Sequence, residues 1–185
     1  MSWEMLRISR YRMVVFFVFM GVFSAVFQLG SMSEVSEEDA SIFMEQFEEL
    51  IKDIDGPGIF LHNTFIALPM FLPGAGIVWG MVSAAATGYA FAAITTLTPE
   101  LGKIPPLAIL YLSPFGIMEL VAYSTATSRS WIIITSLIKK TGLQHHIIPS
   151  IIEVGIVVGL LLAGGFLEYY MLEMVKNEGF TIPGM

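Results

Sequence analysis

Apolar residues run in long tracts along this chain, and the polar positions between them are sparse enough to mark where each tract ends. A hydrocarbon layer about 30 Å thick needs about 20 mostly apolar residues per helix. Residues 13–32 form one such tract behind Arg7, Arg10 and Arg12. This positive start resembles a signal peptide but lacks a convincing small-x-small cleavage site before the acidic stretch that follows, so the tract is read as an uncleaved anchor. Residues 56–98 hold no Lys, Arg, Asp or Glu, and a tract about twice the length of one span predicts two helices joined as a hairpin. Pro69, Pro73 and Gly74 favour an early turn in it, whereas equal division of the length favours a turn near residues 80–84. Residues 104–127, charged at Glu119 alone, and residues 147–172, with Glu153 and Glu168 inside, each predict one further helix. The expected fold class is all-α, a polytopic membrane helical bundle of five transmembrane helices forming a single membrane domain over residues 1–185.

Two segments are expected outside the hydrocarbon. Residues 36–55 open with Ser36 and Asp39 at capping-box spacing. They place Phe43, Phe47, Leu50 and Ile54 on one helical face and Glu45, Glu48, Glu49 and Asp53 on the other. This amphipathic helix either packs on the rest of the protein, the reading the pattern favours, or docks a partner outside the membrane. Residues 131–138 are apolar but too short to span and end in Lys139 and Lys140, which predicts a short cytoplasmic interfacial helix. Orientation follows from Lys and Arg, which are in excess in cytoplasmic loops. Five crossings with a cytoplasmic N-terminus put Arg7, Arg10, Arg12, Arg129, Lys139 and Lys140 inside, and Lys52, Lys103 and Lys176 outside. A single pass through residues 56–98 would move Arg129, Lys139 and Lys140 outside, so the same rule favours the hairpin. The expected location is the cell membrane, with the amphipathic helix and the C-terminus extracytoplasmic.

Composition narrows the function. Of 185 residues 55% are hydrophobic and 14% charged, with a mean hydropathy of +0.75, whereas about a quarter of a soluble domain is charged. The net charge of -7 is local, because nine of the sixteen acidic residues lie between Glu34 and Asp55. Without cysteine there is no disulfide, thiolate metal site or thiol nucleophile. The scattered Lys and Arg argue against nucleic acid. Neither a Gly-x-x-x-x-Gly-Lys-Ser/Thr loop nor a Gly-x-Ser-x-Gly elbow occurs, which argues against nucleotide and esterase chemistry.

Small residues recur at four-residue spacing in Gly76, Gly80, Ala84, Gly88 and Ala92, and again in Gly155, Gly159 and Ala163. Such ladders let helices approach closely in lipid, first within the chain and secondarily in a homo-oligomer. Glu119, Glu153 and Glu168 are costly in a bilayer and need a polar partner, water or protonation. Glu153 is expected to reach interfacial water. Glu119, with Tyr123 one turn later on the same face, is expected as a protonated, hydrogen-bonded carboxyl. His62 and Asn63 can cap the second helix or reach toward Glu168, so the candidate polar cluster is His62, Asn63, Glu119, Tyr123 and Glu168. His145 and His146 read as solvated loop residues. Histidine with carboxylates suits zinc or manganese, but no H-E-x-x-H spacing occurs, and no metal or cofactor is expected.

These landmarks, taken together, resemble the stage II sporulation protein M family of multi-pass membrane proteins. The resemblance rests on His62-Asn63, the stretch through Thr87-Gly88, the segment Ser113-Pro114-Phe115-Gly116-Ile117-Met118-Glu119, and residues 164–168. The family usually reads Pro-His-Gly with a Glu three residues later; Phe115 stands at the His position here, while Gly116 and Glu119 are kept. The resemblance implies a bundle in which Glu119, Glu168 and His62-Asn63 face one another. It also implies a membrane scaffold, since the namesake recruits cell-wall hydrolases in spore formers. The function expected is a non-enzymatic membrane scaffold or accessory subunit, whose partners are the lipid bilayer and other membrane subunits or further copies of itself. The alternatives are a small transporter or channel component with a proton or ion site at Glu119 and, third, an intramembrane metal-dependent hydrolase.

Overall fold

The computed structural model describes residues 9–51 and 54–177; Arg7, Lys52 and Asp53 lie outside them, as do the side chains of Glu48, Leu50 and Lys176. The described chain folds into α-helices and 3-10 turns, with no strand among the described residues. Helix α1 (Arg10–Ser31) starts where Ser9 Oγ accepts the Arg12 amide at 3.1 Å. Helix α2 (Glu37–Ile51) starts on the Ser36–Asp39 pair, the Asp39 amide donating to Ser36 Oγ at 3.1 Å and the Ser36 hydroxyl to Asp39 Oδ2 at 2.6 Å. Helix α3 (Gly56–Ala67) is capped by Asp55, which accepts the Gly58 amide at 2.8 Å. It passes into a 3-10 turn, Leu68–Phe71, and helix α4 (Ala75–Leu97) follows. A second 3-10 turn, Leu101–Lys103, leads to α5 (Pro106–Leu112), and α6 (Pro114–Ile138) leaves α5 at 87°. Lys140, at φ 55°, and Gly142, at φ 84°, turn the chain tightly into α7 (Gln144–Asn177).

Helix α6 is the centre of the bundle. Each residue from Ala122 to Ser130 is buried, as expected of a helix covered on all sides. The first glycine ladder packs α4 on its neighbours: Gly80 meets the Thr127 methyl of α6, and a Cβ on Gly88 would collide with the Phe27 carbonyl of α1. Helix α7 turns Val157, Leu161, Gly164 and Gly165 inward, Gly165 lying against the Phe60 backbone of α3. Phe23, Phe27, Met70, Leu120, Tyr123 and Leu161 meet in the core between these helices. Helix α2 lies on α4 through the fully buried Ala40 and an edge-on contact of Phe43 with Tyr89 at 6.1 Å between ring centres.

The protein is therefore an all-helical, membrane-embedded bundle. Helices α1, α4 and α7 are each long and apolar enough to cross a membrane, and the bent pair α5–α6 makes a fourth if counted as one broken span. Helix α3, at 12 residues, is about 18 Å long. The break within residues 56–98 falls at the early position: Pro69 and Pro73 interrupt the amide ladder, and Gly74, at φ 77°, takes a left-handed conformation open to glycine. Two expected boundaries are corrected. Residues 104–127 are not one helix, because Ser113 and Pro114 end α5 and restart the chain as α6. Residues 131–138 are not a separate interfacial helix but the last turns of α6, since Ser128 and Arg129 do not break a helix and the Ser128 hydroxyl bonds back to the Ser124 and Thr125 carbonyls of its own turn.

The second glycine ladder is placed differently. A Cβ on Gly155 or Gly159 would meet no atom within 4 Å, because α7 packs through the face of Val157 and Leu161 instead. Gly88→Ala should thus force α1 and α4 apart and cost about 1–3 kcal/mol, whereas Gly155→Ala should leave stability unchanged or slightly raised. Thermal unfolding of the two variants in one detergent measures the contrast.

Candidate functional site

Polar side chains gather at two depths of the bundle, and α6 contributes to both. At its N-terminal end, Ser113 Oγ accepts the Gly116 amide at 3.0 Å and donates to the Ile109 carbonyl at 2.6 Å, so one hydroxyl caps α6 and satisfies the end of α5. Gly116 must stay small, because a Cβ there would lie 2.7 Å from the Ile109 carbonyl. This fixes the first turn of α6 and aims Glu119 at α3. Asn63, 8% exposed, donates from Nδ2 to Glu119 Oε1 at 2.6 Å. Glu168 lies about one turn beyond Gly164 and Gly165 of α7, which rest against Met118 of α6 and the Phe60 backbone of α3.

Of the five residues expected in this cluster, Asn63 and Glu119 are joined by a hydrogen bond. His62 is exposed and stays outside it. Tyr123 is buried, but its ring packs on Phe23 at 5.7 Å between ring centres, and Glu119 takes its described hydrogen bond from Asn63 instead. Neither of two apolar surface grooves, one lined by Val14, Val15, Val18, Phe19 and Trp131 and the other around Pro69, Trp79 and Val82, is lined by Glu119.

The second cluster lies about ten residues further along α6, or about 15 Å, and sequence reasoning missed it. Arg129, expected in a cytoplasmic loop, is 5% exposed. Its Nε donates to Glu153 Oε2 at 2.6 Å and its Nη2 to Glu153 Oε1. Arg12 of α1 donates from Nε to the same Oε1 at 2.7 Å, from Nη1 to Ser128 Oγ at 2.8 Å and from Nη2 to the Thr125 carbonyl at 3.3 Å. Glu153 thus meets two guanidiniums in place of the interfacial water expected for it. The signal was the run Ser124-Thr125-Ala126-Thr127-Ser128-Arg129-Ser130: small and hydroxyl-bearing residues in an otherwise apolar protein mark a closely packed helix, not a loop.

Ser130 adds a structural bond beside this cluster. Its hydroxyl accepts the Gly74 amide at 3.0 Å and donates to the Leu72 carbonyl at 2.5 Å, holding the α3–α4 turn against α6. Trp79 Nε1 closes the same break by donating to the Ile66 carbonyl at 2.9 Å. His145 and His146 lie in the first turn of α7, not in the loop expected for them; Ser136 Oγ and His146 Nε2 are 2.7 Å apart, and the His145 ring lies tilted beside His146 with ring centres 3.9 Å apart. Among the described residues no three His, Asp or Glu side chains are grouped to hold a metal ion.

Comparisons with known protein families, with curated proteins and with solved structures find no match for this chain. Glu153→Gln should leave the buried Arg129 guanidinium and the partly buried one of Arg12 without a countercharge and cost about 3–5 kcal/mol. Asn63→Leu, which removes one hydrogen bond from Glu119, should cost about 1–3 kcal/mol. Chemical or thermal unfolding followed by circular dichroism should rank the two in that order.

Proposed function

We propose that this chain is a non-enzymatic membrane scaffold or accessory subunit. The observation that carries the reading is the outer face of α7, where Gly155 and Gly159 leave open space between exposed Ile151, Ile152, Ile156 and Leu162. Small residues flanked by branched apolar ones are what a second transmembrane helix packs against. The interior points the same way. Glu119 and Glu153 are both engaged by partners from other helices of the same chain, Asn63 for one and Arg12 and Arg129 for the other, so they serve to join helices. The resemblance to the stage II sporulation protein M family implies the same class of role.

The proposal includes five crossings, with α3 and its 3-10 turn as the second and α5–α6 as the fourth, an N-terminus in the cytoplasm and a C-terminus outside. Arg12 and Arg129 share one cluster, which puts the start of α1 and the α6–α7 junction, with its exposed Lys139 and Lys140, at one end of the bundle. That end carries most of the basic residues, which favours it as the cytoplasmic one. Helix α2, acidic and packed on α4, then lies outside the membrane.

A transport reading stands second, on the carboxyl of Glu119 held inside the bundle beside the bent α5–α6 pair. Carboxyls inside a membrane commonly serve as proton or cation sites. The two readings give opposite results. A scaffold extracted in mild detergent should carry a membrane partner in fixed ratio, released by Gly155→Leu or Gly159→Leu with no change in its own unfolding temperature. Proton or cation flux in liposomes containing the purified chain, abolished by Glu119→Gln in a folded variant, would establish the transport reading instead.

A further inference from the structure

Arg12 and Arg129 bring two guanidiniums to one carboxylate, Glu153, which leaves the cluster one positive charge in excess. The two arginine side chains are 13% and 6% exposed, so the excess sits at the margin of an apolar bundle and not in open water. A charge so placed is costly until an anion or water meets it. Arg12 uses three of its five N–H groups on Glu153, Ser128 and Thr125. A planar guanidinium with donors to spare is well shaped for a phosphate oxygen.

An apolar groove adjoins this charge. It lies between α1 and α6, has a volume of about 280 Å³ and is lined by Val14, Val15, Val18, Phe19 and Trp131. Val15 stands one turn from Arg12 on α1, and Trp131 one turn from Ser128, the residue to which Arg12 donates. Phe19 and Trp131 meet across the groove with ring centres 6.2 Å apart. We propose that Arg12 and this groove bind one anionic phospholipid from the leaflet at the end of the bundle where α1 begins. Its phosphate sits on the Arg12 guanidinium and an acyl chain lies along Val15, Phe19 and Trp131.

Charge selects the lipid class. A phospholipid with a net negative head group neutralises the single excess charge, whereas a zwitterionic one brings a cation of its own. Exposed Lys139 and Lys140 at the same end of the bundle enrich anionic lipid near the site. Trp131, 41% exposed, is of the type that settles at head-group level. The site serves a scaffold and a transporter equally, so it does not rest on the function proposed above.

The full-length protein, exchanged into mixed vesicles of phosphatidylglycerol and phosphatidylcholine and then released into the gas phase for native mass spectrometry, should retain one phosphatidylglycerol per chain. Arg12→Gln leaves Arg129 and Glu153 as a neutral pair and should weaken that retention about tenfold. Should Arg12→Gln not fold, Val18→Trp decides the matter, since it fills the groove from an exposed position outside the ion cluster; it should displace the lipid with helix content unchanged. Equal retention of phosphatidylcholine would overturn the proposal. So would unaltered phosphatidylglycerol retention in these variants, or loss of the retained lipid on addition of inorganic phosphate alone.

Discussion

An arginine held inside an apolar bundle has to be met by a carboxylate, and the pairing of Arg129 with Glu153 is the constraint on which the packing of the other helices depends. Unpaired, either group would cost several kcal/mol, so α6 and α7 are held in one register where both oxygens of Glu153 face Arg129. Arg12 joins the same carboxylate and fixes the start of α1. The residues flanking Arg129 extend its influence. Ser128 accepts from Arg12, Thr127 lies against Gly80 of α4, and Ser130 holds the turn between α3 and α4. Four consecutive residues of one helix thereby set the positions of the helices around it.

The Glu119 cluster is a second polar layer, nearer the other end of α6. Its geometry depends on the sharp junction at Ser113, where one hydroxyl serves two helix ends. Without that junction α6 would not present Glu119 to Asn63. Between the layers the interior is filled by Phe23, Leu120, Tyr123 and Leu161, so the bundle alternates polar ties with apolar packing. Both layers involve α6, while α1 and α7 enter the first and α3 the second.

What the sequence made legible was the part governed by length and hydropathy. The tracts around α1, α4 and α7 are long and apolar, and each became one helix. The amphipathic spacing of Phe43 and Phe47 placed α2 against the bundle through Phe43 and Tyr89. Asn63, Glu119 and Glu168 were found because polar groups are conspicuous in apolar tracts. Arg129 escaped for the opposite reason: it sits among hydroxyl residues near a Lys-Lys pair, and a count of hydropathy assigns such a stretch to water. The hydroxyls of Ser128 and Ser130 instead satisfy partners inside the bundle, a property of three-dimensional neighbours that hydropathy does not carry. The outward turn of Gly155 and Gly159 was likewise invisible, since spacing identifies a face but not what lies opposite it.

The clasp formed by Ser130 bears on the order in which the bundle is assembled. The Gly74 amide sits in the break between two helices that emerge early in synthesis, and the hydroxyl that receives it is 56 residues further along the chain. Until α6 arrives, that amide lacks the acceptor it has in the folded bundle. The seating of the turn between α3 and α4 is therefore completed late, by a helix made after them. A chain ending before Ser130 would carry the apolar content of both helices without the bond that seats their turn.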